Sequence, residues 1–396
     1  MEQKYIELLL EKCINFDKSK SLFISYDVIV EDFVRKVVKY ANDMGINDIY
    51  LDKTDVYYES ELLNKLSIED IEKEKYFDTS IWDLYASKNA SFLIIKSPVP
   101  GVMDDIPAEN IAKVSSVRQS TMKEFKKKQL NYEVPWCICS YPNRVWAKDI
   151  FKEDNAYELL SDMIYKICMV DTDNPIVSWD NYLKENKKII DKLNNLKLKE
   201  LHYKNSIGTD LVVELLSDTI WSYAASNGLV NMPSYEVFTC PNYKQTNGIV
   251  YSSKPLIYGG GKINDFWLEF KDGKVVNFDA KVGKDLLKGI LESDGNSSYL
   301  GECALVPYDS PISNTDIVFG TTLIDENASC HLALGSSYCE CIKNGFDLSE
   351  EELLENGLNV SSEHVDFMIG TEDLEIIGTT FHGEKVKIFE NGNFSL

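Results

Sequence analysis

Apolar positions in the first half of this chain switch repeatedly between helical and extended spacing. Tyr5 to Cys13 carries a helical pattern, and a short apolar run, Leu22 to Ser25, follows it. Glu31 to Met44 places Phe33, Val34, Val37, Val38 and Ala41 on one side of a predicted helix. Ile49 to Leu51 reads as a second strand, Ser60 to Ile71 and Ile81 to Ala86 as helical, and Phe92 to Ile95 as a third strand. A helical stretch from Ile106 to Lys128 leads to a fourth strand at Val134 to Cys139, and another helix covers Ala156 to Val170. Short apolar strands separated by helices predict a mainly parallel sheet covered on both faces. Residues 1–195 are therefore expected to form an α/β domain, with a lysine- and asparagine-rich amphipathic helix between Trp179 and Lys199 as the connector.

Beyond that helix the texture changes. Strand candidates become short and frequent: Leu211 to Leu215, Glu236 to Thr239, Ile249 to Ser252, Phe266 to Phe270, Val275 to Asp279, Ile317 to Gly320, Val365 to Ile369 and Lys385 to Phe389. Asp272-Gly273 and Asn391-Gly392 signal hairpin turns. Helical pattern persists at Ser217 to Ala225 and Val282 to Glu292. Residues 196–396 thus read as a β-rich α+β domain. No phosphate-binding loop follows the first strand, and Gly259-Gly-Gly-Lys262 runs into the strand-like Asp265 to Phe270, so it reads as a turn.

Composition narrows the function classes. With 396 residues, 44% hydrophobic and 27% charged, the chain suits two soluble globular domains. Its apolar runs are too short to span a bilayer, and Met1 to Tyr5 leads straight into an amphipathic pattern with no signal-peptide core, which predicts a cytoplasmic protein. Lysine and arginine number 41 against 64 acidic residues, a net charge of −23. That field repels nucleic-acid phosphates and anionic membranes; it serves solubility and also favours substrates carrying a free ammonium. Nine cysteines, an odd number scattered from Cys13 to Cys341, fit reduced thiols better than a disulfide framework. Cys137 and Cys139 face the same side of a predicted strand and read as core, and neither C-x-C pair has the spacing of a structural zinc site.

The candidate chemistry is concentrated in the second domain. Of the four histidines, His331 and His364 accompany Glu236, Glu302 and Asp366 at well-separated positions. Two imidazoles with three carboxylates suit a pair of borderline divalent cations, because imidazole favours zinc or cobalt and a carboxylate can bridge two ions. On a strand His364 and Asp366 project together while Val365, Phe367 and Ile369 face the core; a polar surface strand reads the same way. Glu236 opens a half-apolar strand and on pattern alone reads as a solvated end sooner than as a ligand. Glu302 lies between Gly301 and Ala304-Leu-Val306, where a bare carboxylate is costly to bury without a cation or hydrogen bonds. His331 is readable as a hydrogen-bonded core histidine, and Asp325 and Glu326 upstream of it are alternative orienting groups or general bases. Adjacent residues point in different directions, so Cys330 and His331 do not make a nucleophile pair.

Four segments carry a resemblance to one family: Asn231-Met-Pro-Ser-Tyr-Glu-Val-Phe-Thr-Cys-Pro241, Gly301-Glu-Cys-Ala-Leu-Val-Pro307, Asp325-Glu-Asn-Ala-Ser-Cys-His-Leu-Ala-Leu-Gly335 and His364-Val-Asp-Phe-Met-Ile-Gly370. In this order, and followed by Asn391-Gly392, they resemble the M29 metalloaminopeptidases over essentially the whole chain. Tyr235 departs from the pattern, standing where the family usually has glycine before the first glutamate. The resemblance implies two divalent ions per chain (zinc, cobalt, manganese or magnesium) on Glu236, Glu302, His331, His364 and Asp366, with Glu302 as the bridge. It also implies that Tyr338 stands near the ions as a donor to a tetrahedral oxyanion, and that the enzyme is a homodimer acting on short peptides with a free N-terminus. His202 and His382 match no ligand position and read as surface or packing residues. A catalytically silent binding or assembly protein of this fold, and a metal-dependent hydrolase of another amide or ester, are the competing readings.

Overall fold

A computed structural model describes residues 1–223 and 228–396. The chain divides into two compact units, Met1–Tyr182 with the described part of Ala224–Ser234, and Leu183–Tyr223 with Tyr235–Leu396.

The first unit is α/β. Its sheet runs in the order Ile49–Thr54, Leu22–Asp27, Ser91–Lys96, Trp136–Ser140, Asn231–Met232, all neighbours parallel. Parallel strands are covered on both faces and so read as continuous apolar runs, which is why Phe92 to Ile95 is buried throughout. Phe23 lies 5.0 Å from Phe92 between ring centroids, and Phe92 lies 4.5 Å from Phe125, so the helix Lys123–Leu130 is held by aromatic contact. The fifth strand, Asn231–Met232, has no sequence signal because two residues carry no periodicity. The pattern expected as one helix over Ser60 to Ile71 is two, Val56–Leu63 and Ile68–Ile71, because Ser67 accepts the Asp70 amide and starts the second. Ile106 to Lys128 also divides, into Ala108–Thr121 and Lys123–Leu130, with Met122 out of helical conformation at φ −123°, ψ 41°. A further helix, Arg144–Ile150, is capped by Asn143, whose side chain accepts the Val145 and Trp146 amides.

The second unit holds two antiparallel sheets. The larger orders Leu256–Tyr258, Gly261–Lys271, Pro241–Tyr251, Asp210–Leu215, Leu198–Lys204, Glu375–Thr380, Lys385–Glu390 and Asn393–Phe394, with Lys274–Val282 also paired to Gly261–Lys271. Gly259-Gly260 forms the turn between two of these strands, and Asp272-Gly273 and Asn391-Gly392 turn two others. Two expectations are corrected here. Ser217 to Tyr223 is not helical but a turn followed by isolated bridges, Thr219 with Ile342 and Ser222 with Phe238; Ala224 and Ala225 lie outside the described residues. Ile317 to Gly320 is not a strand, because the carboxylate of Asp325 takes the amides of Phe319 and Gly320 and bends the segment into a loop. All nine cysteines are free and buried, Cys13, Cys137, Cys139 and Cys168 in the first unit. Among the described residues no helix is long and apolar enough to cross a membrane.

Candidate active site

The smaller sheet of the second unit carries the candidate chemistry. Its four strands run Val237–Thr239, Leu300–Leu305, His331–Gly335, His364–Met368 in the spatial order His364, His331, Leu300, Val237. Residues directly paired across antiparallel strands share a face, as do residues two apart on one strand. Glu302 and Asp366 both pair with Ala333, one from each side. Phe238 pairs with Ala304, Ala304 with His331, His331 with Met368, and Gly335 with His364. Register and alternation therefore put Glu302, His331, His364 and Asp366 on one face, with Glu236, two residues before Phe238, at its margin. Ala304, Ala333 and Gly335 occupy the positions between them and leave room that larger side chains would fill.

Two glycines make this geometry possible. A Cβ on Gly301 would lie 2.2 Å from the Ser336 carbonyl oxygen, at the point where the strand register shifts beside Glu302. Gly335 has φ +101°, and a Cβ there would lie 2.2 Å from the Glu363 carbonyl oxygen. Either substitution would displace the backbone that presents a site residue.

The side chains meet in two groups of three. Potential ligand atoms of Glu236, Glu302 and His331 lie within 4.8 Å of one another, as do those of Glu302, His364 and Asp366. Glu302 belongs to both. His331 Nε2 is 3.1 Å from Glu236 Oε2, and His364 Nε2 is 3.1 Å from Glu302 Oε2 and 3.4 Å from Asp366 Oδ1. The opposite ring nitrogens face main-chain carbonyls: Nδ1 of His331 lies 3.0 Å from Ser329 O, and Nδ1 of His364 lies 2.8 Å from Ser336 O. A carbonyl only accepts, so each Nδ1 carries a proton; with no cation present Nε2 is protonated too and donates to the carboxylates, and it is the nitrogen each ring would free for a cation. These orienting groups are backbone atoms and leave no mark in the sequence.

The two groups differ in exposure. His331 and Glu236 side chains are 1% and 7% exposed, whereas His364 and Asp366 are 19% and 17% exposed, so solvent reaches the site from the His364 side. Tyr338 stands on that side, its hydroxyl 3.3 Å from His364 Nε2 and its ring 4.9 Å from the imidazole.

Electrostatics without a cation are strained. Burial pushes Glu302 up to about 7, with the charges of Asp366 and Glu236 adding to the rise against the opposing His364. Burial and then the charges of Asp366 and Glu236 hold Glu326 well above the usual carboxylate range. Burial opposes charge on His331, yet Glu236 raises it to about 10; at His364 Asp366 and Glu302 likewise overcome burial. Burial also disfavours charge on Asp366, and the two imidazoles outweigh it and pull the group below its ordinary range. Four carboxylates around two imidazoles form an anionic, nitrogen- and oxygen-rich donor set that fits divalent cations.

Asp325 and Glu326, indistinguishable in the sequence, have separate environments. Asp325 is fully buried and takes the amides of Phe319, Gly320 and Thr321; burial still pushes it up to about 6. It is a loop cap. Glu326 instead feels Asp366, Glu236, His331 and Glu302, which puts it beside the candidate ligand groups. Asn327 braces the opposite edge, where its Oδ1 accepts the Tyr235 amide at 2.6 Å and so fixes the backbone before Glu236. Tyr235 itself is buried, 2% exposed.

Fold and donor set together define a metallopeptidase. The profile of the family described as thermophilic metalloprotease (M29) matches residues 1–394, and the chain belongs to that family. It is therefore a metal-dependent hydrolase of peptides. Aminopeptidase AmpS of Bacillus subtilis (strain 168) is 36% identical to it, over 99% of this chain and 97% of the relative. Aminopeptidase 2 of Geobacillus stearothermophilus is 34% identical over the same shares. Among solved structures, wild-type AmpT from Thermus thermophilus superposes with a TM-score of 0.86 at 27% identity, covering 100% of this chain and 98% of that one.

Proposed function

We propose that this protein is an aminopeptidase that removes N-terminal residues from short peptides, with two divalent ions held by Glu236, Glu302 and His331 on one side and Glu302, His364 and Asp366 on the other. The observation that carries this reading is the membership of Glu302 in both groups of three, since a shared carboxylate is what a bridged ion pair requires. Divalent ions bound there supply Lewis acidity, polarising a scissile carbonyl and lowering the pKa of a water molecule.

The remaining work falls to the chain's own side chains. Glu326, held in the anionic cluster, takes a proton from the attacking water and delivers it to the departing amine as the C–N bond breaks. Tyr338 donates its phenolic hydrogen to the oxygen that becomes negative on the tetrahedral carbon. The excess of carboxylate over imidazole attracts the substrate's α-ammonium, in line with relatives that are named aminopeptidases. The resemblance to the M29 family adds a cytoplasmic homodimer to this proposal, and the mass in solution checks the dimer.

Acetylating the N-terminus of a good peptide substrate separates this function from a general amidase. Acetylation removes the charge and the basic nitrogen, so kcat/KM is expected to fall by about 10³-fold or more at fixed pH and metal concentration. Equal hydrolysis of free and acetylated peptide would remove the aminopeptidase assignment while leaving a metal-dependent hydrolase.

A further inference from the structure

The short strand Val237–Thr239 and the residues flanking it do more than present one carboxylate. Phe238 sits mid-strand on the site face, with Glu236 and Cys240 just beyond the two strand ends, and each meets a different part of the site. Glu236 faces His331, and the Phe238 ring lies 5.2 Å from that of Tyr338 at 55°. Cys240, fully buried, reaches the main chain of the same tyrosine: its sulfur accepts the Tyr338 N–H at 3.2 Å, and its thiol donates to the Tyr338 carbonyl at 3.6 Å. The Cys341 amide also donates to that carbonyl at 3.1 Å.

We infer that Cys240 is a positioning residue, fixing the Tyr338 peptide so that the phenol stays at hydrogen-bond distance from His364 Nε2 and from the reacting oxygen. The inference rests on the role given to Tyr338 above and adds the residue that sets its geometry. The chemistry requires a side chain that both donates and accepts in a dry site. Alanine removes the acceptor from a buried N–H and leaves space beside the peptide, so the Tyr338 backbone relaxes and its hydroxyl, one side chain away, moves with it. Serine restores both hydrogen-bond roles. Displacement of a transition-state donor lowers kcat and leaves ground-state binding largely intact.

Two measurements test this, one of them independent of turnover. In the metal-loaded full chain, Cys240→Ala is expected to lower kcat about tenfold with KM within about twofold, Cys240→Ser to recover most of it, and Cys240→Ala to cost nothing further in a Tyr338→Phe background. An equal loss in both backgrounds, or no loss in either, overturns the inference. In the metal-free chain with labelled imidazoles, only four histidine signals exist. Cys240→Ala should displace the same signal that Tyr338→Phe displaces, and Cys240→Ser should leave it in place. Displacement by Tyr338→Phe without displacement by Cys240→Ala also overturns it. Failure of the aminopeptidase reading shows separately, as loss of discrimination against acetylated peptide in the wild type.

Discussion

Both units of this protein bury acidic groups, and they treat them in opposite ways. In the α/β unit Glu59 is 8% exposed and forms a two-pronged pair with Arg118, at 2.6 and 3.1 Å. Asp52 accepts hydrogen bonds from Ser25 and the Trp82 indole, and although burial raises its pKa both bonds oppose the rise. Each buried acid there is answered by a donor of the protein. The four-stranded sheet of the second unit instead gathers Glu236, Glu302, Glu326 and Asp366 around two imidazoles whose Nδ1 protons are committed to carbonyls. Like charges this close oppose folding unless something positive joins them. Buried acid answered by donors belongs to the framework of the first unit; buried acid in excess of its donors is what the proposed ion site rests on.

The largest effect that tests this contrast comes from removing a ligand. His364→Ala should lower kcat/KM by about 10³-fold or more, because it opens one of the two groups around Glu302. Elemental analysis of the reconstituted variant should show fewer than the two ions per chain expected for the wild type, with circular dichroism unchanged. Full metal content with full activity would move the centre away from His364.

Glu326 and Asp325 sharpen the comparison within the second unit. Glu326→Gln should retain metal and fold while kcat falls by about 10²-fold or more, since an amide cannot carry the proton. Asp325→Asn should do the reverse. It weakens three bonds from loop amides and is expected to cost about 1–3 kcal/mol in denaturant unfolding, with activity per folded molecule largely kept. A reversed outcome would exchange the roles of the two residues.

In the first unit, Glu59→Gln should affect stability alone. It leaves Arg118 with a neutral partner in a partly buried setting, an expected loss of about 1–3 kcal/mol by chemical denaturation, and kcat/KM should stay within about twofold. A large catalytic loss with unchanged stability would mean that the first unit's buried acids serve function too.

The contrast also explains what could be read in advance. The parallel sheet was legible because strands buried on both faces become apolar runs, as in Phe92 to Ile95. His364 and Asp366 were legible as neighbours because two residues apart on a strand is a local relation. The approach of Glu236 to His331 was not, because it depends on register through the intervening Leu300–Leu305 strand and on the bulge at Gly301. Asp325 and Glu326 could not be separated either, since their difference lies in which backbone amides the loop offers, and the Ile317 to Gly320 segment that offers them imitates a strand in its apolar pattern. The false helix at Ser217 to Tyr223 failed similarly: its backbone is spent in bridges to distant partners, Thr219 with Ile342 and Ser222 with Phe238.

The smallest expected effect concerns the two histidines outside the site. His202 pairs with Asp210 at 2.6 Å, but the side chains are 34% and 59% exposed, so solvent and salt screen the contact. His382 is exposed in the turn between Glu375–Thr380 and Lys385–Glu390, where its amide and not its ring contacts Thr380. Neither ring has the buried, doubly committed arrangement of His331 and His364, in which one nitrogen meets a carbonyl and the other a carboxylate. Alanine at either position should leave kcat/KM within about twofold, metal content unchanged, and Tm within about 2 °C. The pair of variants is the control for the whole comparison. If His202→Ala or His382→Ala cost as much turnover as His364→Ala while the fold and ion content held, a buried excess of acid would no longer be what distinguishes the histidines that matter.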